Sequence, residues 1–161
     1  MTTTPLEIII PPDEPVIIVR RVLKAPPTLV FQAWTDPEHM PHWWGPRRFD
    51  LVVCDIDLRV GGGYRFVQRA PDGQEFGFHG EYREIEPPHL LVSTFVYEGE
   101  PDQEAVETLT LAAVDDGTLV TETLRHATLA ARDGHVAAGM EGGMAESYQR
   151  LDEWLSSLQT A

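Results

Sequence analysis

The stretch that decides the fold is residues 31–46, which reads Phe-Gln-Ala-Trp-Thr-Asp-Pro-Glu-His-Met-Pro-His-Trp-Trp-Gly-Pro and holds three of the chain's four tryptophans. Asp36 is expected to cap a helix opened by the proline that follows it, since proline is tolerated at the first helical position. A second proline keeps that helix short. Trp43 and Trp44 then fall just before a strand, where one indole can close a core while the other lines a cleft. Aromatic side chains on such short elements indicate the lid of a hydrophobic pocket.

Length, charge and cysteine content narrow the class of protein. The chain has 161 residues, enough for one domain, and carries 12 basic against 26 acidic side chains for a net charge of −14. That charge repels phosphate backbones and anionic membrane surfaces, so nucleic-acid binding is disfavoured. Cys54 is the only cysteine, which excludes an internal disulfide and suits a reducing compartment. The N-terminal apolar run is too short for a signal core or a membrane span. We therefore expect a cytoplasmic protein with no membrane insertion.

Strand patterns dominate the middle of the chain. The β-branched run Val16–Leu23 predicts a first strand, and a short helix over Thr28–Trp34 follows it, before the second short helix that Asp36 caps. Six further strands at hairpin spacing predict a curved antiparallel sheet. They are Phe49–Leu58, Tyr64–Arg69, Glu75–Ile85, Leu90–Tyr97, Val106–Val114 and Leu119–His126. Residues 1–15, with four prolines, are predicted to form an N-terminal arm on a single domain of residues 16–161.

The last segment, His135–Leu158, is predicted to be one long amphipathic helix. Its apolar residues recur at spacings of three and four and so share one face, formed by Met140, Met144, Tyr148, Leu151, Leu155 and Leu158. Gly139, Gly142 and Gly143 are unexpected there, because a glycine costs about 1 kcal/mol relative to alanine inside a helix. They indicate either close packing of the helix on the sheet or room for a ligand beneath it.

This order of strands and helices resembles the helix-grip fold of the START-like (SRPBCC) superfamily, which includes Bet v-type allergens and polyketide cyclases. Within it, the sequence is similar to the bacterial branch related to the C-terminal domain of the heat-shock-protein ATPase activator. The resemblance covers about residues 13–158 and rests on Ala25-Pro26-Pro27, Ala33-Trp34-Thr35-Asp36-Pro37, Trp43-Trp44-Gly45-Pro46, Asp57-Leu58-Arg59-Val60-Gly61-Gly62, Pro71-Asp72-Gly73, His79-Gly80-Glu81-Tyr82 and Gly139-Met140-Glu141-Gly142-Gly143-Met144. It implies an α+β fold in which an antiparallel sheet of six to seven strands wraps around the long C-terminal helix, with a cavity between them.

Alternation along the strands predicts what lines that cavity. Glu122 and His126 share a face of the last strand, and an acid and an imidazole in an apolar cleft can transfer protons or orient the polar end of a ligand. Alternatively, the pair lies at a solvent-exposed rim, or the glutamate is tied to an arginine or a tyrosine. With His79, these are the weak candidates for catalysis. The predicted ligand-binding residues are Trp34, Trp43, Trp44, Phe66, Phe78, Tyr82, Glu122, His126, Met140, Met144 and Tyr148.

Other constellations are weaker. His39 and His42 lie three residues apart and could share a helix face, but no third ligand follows at a fixed spacing. Gly61-Gly62-Gly63 lacks the lysine and the following helix of a phosphate loop. Cys54 lies in a predicted strand with no histidine near it in sequence, which favours an inert thiol. We expect no metal and no cofactor.

Three classes of function remain. The first is a carrier or sensor that binds a small hydrophobic or aromatic molecule, of lipid or polyketide type, and we favour it. The second is a cyclase- or hydrolase-like enzyme that uses acid and base residues in the pocket. The third is a chaperone ATPase co-regulator in a stress response, as the resemblance implies. It is weakened because the eukaryotic activator has an additional N-terminal domain that this sequence lacks. The sequence leaves a homodimer open.

Overall fold

The computed structural model describes residues 6–159 and contains an eight-stranded antiparallel sheet with three helices. The strands run in the spatial order β1-β2-β8-β7-β6-β5-β4-β3. Their bounds are β1 Glu7–Ile9, β2 Val16–Leu23, β3 Asp50–Ile56, β4 Gly63–Arg69, β5 Glu75–Glu86, β6 Leu90–Tyr97, β7 Glu104–Val114 and β8 Gly117–Arg125. The helices are α1 Pro27–Thr35, α2 Leu129–Ala137 and α3 Met140–Gln159, with a 3-10 turn at Met40–His42. No helix within residues 6–159 is long and apolar enough to cross a membrane.

The predicted fold class is confirmed, with one strand more than expected. All seven predicted strands are present, and the eighth is β1, which pairs with β2 so that Ile8 faces Val19. This strand lies in the segment predicted to be an arm. It was not predicted because the alternation in a three-residue edge strand is too short to be recognised. Ile8 also packs against the hydrophobic core. Residues 1–5 of the predicted arm and residues 160–161 of the predicted domain lie outside the part of the chain described.

The prediction of one helix over His135–Leu158 is wrong at its start. Residues 129–137 form the separate helix α2, which begins where the Thr128 side chain accepts a hydrogen bond from the Ala131 amide at 3.0 Å. Gly139 has a φ of +88°, a conformation that favours glycine and commonly ends a helix. The long helix α3 therefore begins only at Met140, and the sharp turn at Gly139 sets α2 and α3 in different directions.

The core lies between the concave face of the sheet and α3. From α3 it receives Tyr148, Leu151 and Leu155, each buried to 2% exposure or less. The sheet contributes fully buried side chains from its central strands, including Val19, Leu109 and Val120. The N-terminal half of α3 carries Gly142 and Gly143 between its methionines, and there the cavity lies beside the helix.

Candidate functional site

A cavity of about 840 Å³ occupies the space between the sheet, α3, α2 and the segment around the 3-10 turn. It reaches the surface beside Arg48, Glu100 and Gln103, which are exposed residues of its wall. All of the residues predicted to bind a ligand line it, namely Trp34, Trp43, Trp44, Phe66, Phe78, Tyr82, Glu122, His126, Met140, Met144 and Tyr148. Strand alternation and helix periodicity thus locate the wall of the cavity from sequence.

The two adjacent tryptophans take different roles. Trp43 is 2% exposed, its indole Nε1 donates a hydrogen bond to the Ala33 carbonyl at 2.9 Å, and its ring lies 4.6 Å from that of Trp34. Trp44 is half-buried, and its ring lies 5.0 Å from Phe66 and 5.2 Å from Phe78. Trp43 therefore fixes the segment to α1, while Trp44 presents its ring to the sheet across the cavity.

The helix wall is open because of its glycines. A side chain at Gly142 would meet no atom within 4 Å, and one at Gly143 would meet only Pro46 Cγ, at 3.8 Å. Neither glycine is required for close approach of α3 to another element, which excludes the interpretation that they serve helix–sheet packing. Gly143 lies three residues after the buried Met140 and four before the buried Ser147, so it belongs to the inward face of α3. The glycines leave the space above the sheet unfilled.

A pair of carboxyl groups lies on the sheet side of the cavity. Glu122, 5% exposed, accepts a hydrogen bond from the Tyr148 hydroxyl. Glu107, on β7, lines the cavity beside it, and the two carboxyl groups hydrogen-bond each other. Burial and then the neighbouring Glu122 hold the pKa of Glu107 well above its ordinary value. Burial also raises the pKa of Glu122, although the hydrogen bonds from Tyr148 and Glu107 oppose that rise. The pair therefore retains a proton at a pH where an ordinary glutamate has none.

Two imidazoles form a second polar part of the wall. His126 Nε2 lies 3.1 Å from His135 Nδ1, and both residues line the cavity. Burial lowers the pKa of His126, and burial together with His126 lowers the pKa of His135 to about 4. Both rings are therefore neutral at pH 7. His126 is 9% exposed, and within residues 6–159 its Nδ1 atom has no hydrogen-bond partner.

His79, the third catalytic candidate, lies outside the cavity wall, so the structure does not bring it together with Glu122 and His126. The side chain is exposed, and its Nδ1 atom lies 3.0 Å from Glu98 Oε2. Its neighbour Phe78 lines the cavity, so alternation along β5 directs His79 to the opposite face of the sheet.

The other residues singled out in the sequence have structural partners. His39 Nδ1 accepts a hydrogen bond from Trp154 Nε1 at 3.0 Å, and the His42 ring stacks on Trp154 with centroids 3.7 Å apart. No group of three histidine, cysteine or acidic side chains in residues 6–159 is placed to bind a metal ion. Burial, with Asp55 and Asp36 nearby, raises the pKa of Cys54 to about 11. That thiol is protonated at neutral pH and is a poor nucleophile.

Sequence reasoning missed Glu107 and His135. Glu107 could have been found, because it alternates with the buried residues Ala105, Leu109 and Leu111 on β7 and therefore shares their inward face. His135 was assigned to the start of a continuous helix, whereas it lies on the separate helix α2, which holds it against His126.

Comparison with known proteins gives consistent matches over nearly the whole chain. The family model for Activator of Hsp90 ATPase homolog 1-like protein matches residues 24–156. The crystal structure of a protein from Rhodobacter sphaeroides is 31% identical with a TM-score of 0.88, covering 95% of this chain and 99% of that chain. That of a protein from Nitrosomonas europaea is 26% identical with a TM-score of 0.84, covering 94% and 100%. An AHSA1-like protein from Aeromonas hydrophila, 24% identical with a TM-score of 0.69, shares the fold over 91% and 96%. No curated protein matches the chain.

Proposed function

This chain belongs to the family of Activator of Hsp90 ATPase homolog 1-like proteins, and we propose that it binds one small hydrophobic or aromatic molecule in the cavity between its sheet and α3. The observation that carries the proposal is the cavity itself, about 840 Å³ in volume and walled by aromatic rings. Ligand pockets in proteins span about 300–1,000 Å³ and are lined mainly by apolar and aromatic side chains with a few polar groups. A folded domain does not leave such a volume open without cost, because unfilled apolar space destabilises a core.

The expected affinity follows from the apolar surface that a ligand would bury. A molecule of two fused rings that loses about 300 Å² of apolar surface to the cavity gains roughly 7 kcal/mol. Part of this gain offsets the ligand's lost translational and rotational freedom. Dissociation constants in the micromolar range or weaker are therefore expected for an unspecialised apolar probe. Trp44, half-buried in the wall, is the fluorophore expected to report the binding.

The test uses N-phenyl-1-naphthylamine, an uncharged apolar dye, titrated against tryptophan emission in wild type and in three variants. Gly143→Phe adds a ring on the inward face of α3 and should weaken quenching, because the ring occupies part of the cavity beside Trp44. Gly143→Ala fits at ordinary contact distance from Pro46 and should leave binding nearly unchanged. Ala145→Leu adds bulk to an exposed position on the same helix and controls for added apolar surface.

The folding of each variant is measured in parallel. Gly143→Ala should raise the free energy of unfolding by about 1 kcal/mol through helix propensity. That result would show that position 143 accepts a side chain, so that weaker binding by Gly143→Phe reflects the volume of the ring. Absence of probe binding by the wild type, or equal binding by wild type and Gly143→Phe, would overturn the proposal.

A second candidate, a cyclase- or hydrolase-like reaction, is favoured by one observation. The cavity holds a carboxyl pair, Glu107 and Glu122, in which one group retains a proton while the other can accept one. An acid and a base at one apolar site are what general acid–base catalysis requires. The discriminating experiment is to incubate a bound molecule with the protein and follow its conversion by mass spectrometry. Conversion that Glu122→Gln abolishes without abolishing binding would favour the enzyme, and recovery of unchanged ligand would favour the carrier.

A further inference from the structure

The polar groups of the cavity converge on one place in the sheet. Glu122 on β8 and His126, the residue directly after β8, lie two positions before and after Leu124, and in the β7–β8 register Glu107 faces that same leucine. Side chains two apart on a strand, and the residue opposite the one between them, project to the same face. The two carboxyl groups and the imidazole therefore surround a single patch of the wall, where the polar end of a ligand would lie.

Those groups accept hydrogen bonds or hold negative charge. In the Glu107–Glu122 pair each carboxyl group donates one hydrogen bond at most, when protonated, and none when ionised, so acceptor oxygens outnumber donors. The imidazole of His126 is buried beside them, with its Nε2 atom 3.1 Å from His135 Nδ1. A hydrogen-bond donor on the ligand would satisfy the carboxyl oxygens, whereas a carboxylate would add further acceptors next to them.

The arginines near the cavity are either exposed or paired with other groups. The acidic residues of the cavity wall are Glu100, Glu107, Glu122 and Glu146, against the single basic residue Arg48. Arg48 is an exposed residue whose guanidinium carbon lies 4.7 Å from the centroid of the Phe49 ring. Of the arginines close to the polar patch, Arg21 is paired with Asp152. Arg132 is bound to Asp133 and to backbone carbonyls of the segment before β2. The patch therefore has no cation of its own to neutralise its carboxyl groups.

We infer that the molecule held in the cavity is a hydrophobic amine, bound as its ammonium ion with the nitrogen against Glu107 and Glu122 and beside His126. The inference rests on the proposed function, since it specifies the class of ligand for the same cavity. An ammonium group replaces the proton that the carboxyl pair would otherwise share, and it supplies up to three donors to acceptors that lie on different sides. The aromatic rings around the patch, including Tyr64 and Tyr82, favour a cation near their faces.

The test compares three probes with one phenylbutyl skeleton and different polar ends, namely 4-phenylbutylamine, 4-phenylbutanol and 4-phenylbutyrate, titrated calorimetrically at pH 7. The amine should bind at least tenfold more tightly than the alcohol, and the carboxylate should bind most weakly. Glu107→Gln and Glu122→Gln should each reduce the affinity for the amine at least tenfold while changing the affinity for the alcohol less. Glu141→Gln removes the same charge from an exposed position outside the cavity wall and should leave the amine's advantage intact.

The outcomes separate this inference from the proposed function. Equal affinities for the three probes, or tightest binding of the carboxylate, would overturn the amine inference while leaving apolar ligand binding in place. Failure of the wild type to bind all three probes and the uncharged naphthylamine dye would overturn both. The comparison in the wild type decides the matter even if a glutamine variant does not fold.

Discussion

At the scale of single residues, the hydroxyl of Tyr148 opposes the effect of burial on the carboxyl group of Glu122. Tyr148 is 1% exposed, and its hydroxyl donates a hydrogen bond to Glu122. This one hydrogen bond joins α3 to β8 through the core. A carboxyl group stripped of water is costly unless it is protonated or hydrogen-bonded. The tyrosine therefore offsets part of the cost of placing Glu122 in an apolar wall.

Replacing Tyr148 by phenylalanine should lower the free energy of unfolding by about 1–3 kcal/mol, the usual result of leaving a buried partner unsatisfied. The pKa of Glu122 should rise further, because a hydrogen bond that lowers it is lost. Urea denaturation measures the first effect, and carboxyl titration by NMR measures the second. Tyr82→Phe is the matched control, since Tyr82 is also buried in the cavity wall and makes no hydroxyl hydrogen bond found within residues 6–159. Equal stability of Tyr148→Phe and wild type would show that the hydrogen bond contributes nothing net.

At the scale of elements, an arginine of α3 holds the segment of residues 40–46, here called the lid. Arg150 donates from Nη1 to the Gly45 carbonyl at 2.7 Å and from Nη2 to the Pro41 carbonyl at 3.2 Å. The segment that it holds carries Trp44 into the cavity wall. Ser147, one turn earlier, also joins it, accepting from the Gly45 amide at 3.2 Å and donating to the Trp43 carbonyl at 3.0 Å.

Arg150→Met retains the aliphatic stem but removes both hydrogen bonds to the lid. We expect a loss of roughly 1–3 kcal/mol in the free energy of unfolding, since hydrogen bonds from a charged donor, the shortest of them part-buried, are removed. Binding of the naphthylamine dye should weaken as Trp44 loses its fixed position. Gln149→Met, at the neighbouring exposed position, should leave both unchanged. A variant with normal stability and normal quenching would show that the lid is held by its tryptophans alone.

The elements also show which parts of the fold sequence patterns can predict. Alternation identified β2 and the six strands from β3 to β8, because the period of two persists over whole strands. It failed for β1, which is too short to show a period. Helix periodicity continued smoothly through Gly139, so it could not reveal the change of direction that a φ of +88° produces there.

The same distinction holds within the candidate site. The structure places Phe78 and Met140, which alternation and periodicity assigned to the site, in the cavity wall, and Glu107 could have been assigned by the same alternation. His135 could not, because its contact with His126 depends on how α2 folds back onto the sheet. Likewise the hydrogen bond between Tyr148 and Glu122 joins residues 26 apart, and its existence follows only from the register of α3 against β8.

At the scale of the whole molecule, two sets of buried groups make stability depend on pH in opposite directions. The pKa of His135 is lowered to about 4 from 6.5, so the unfolded chain takes up a proton that the folded chain refuses. The free energy of unfolding therefore decreases, through His135, as the pH falls from 6.5 towards 4. The pKa values of Glu107 and Glu122 are raised above 4.5, so the folded chain retains protons that the unfolded chain releases. The free energy of unfolding therefore decreases, through these two glutamates, as the pH rises above 4.5.

Single variants should separate the two effects. Relative to wild type, His135→Gln should gain stability as the pH is lowered from 7 to 4.5, because it removes a group that must charge on unfolding. Glu107→Gln should gain relative stability as the pH is raised from 5 to 8, because its amide keeps the hydrogen-bonding shape without a charge to desolvate. Urea denaturation at each pH gives these differences, and any constant offset from altered packing leaves their slopes unaffected. His89→Gln is the control for the first variant, since His89 is an exposed residue of the β5–β6 turn and lies outside the cavity wall. Differences that stay constant with pH would show that these groups titrate alike in the folded and unfolded chains, and that the cavity wall is as well hydrated as the surface.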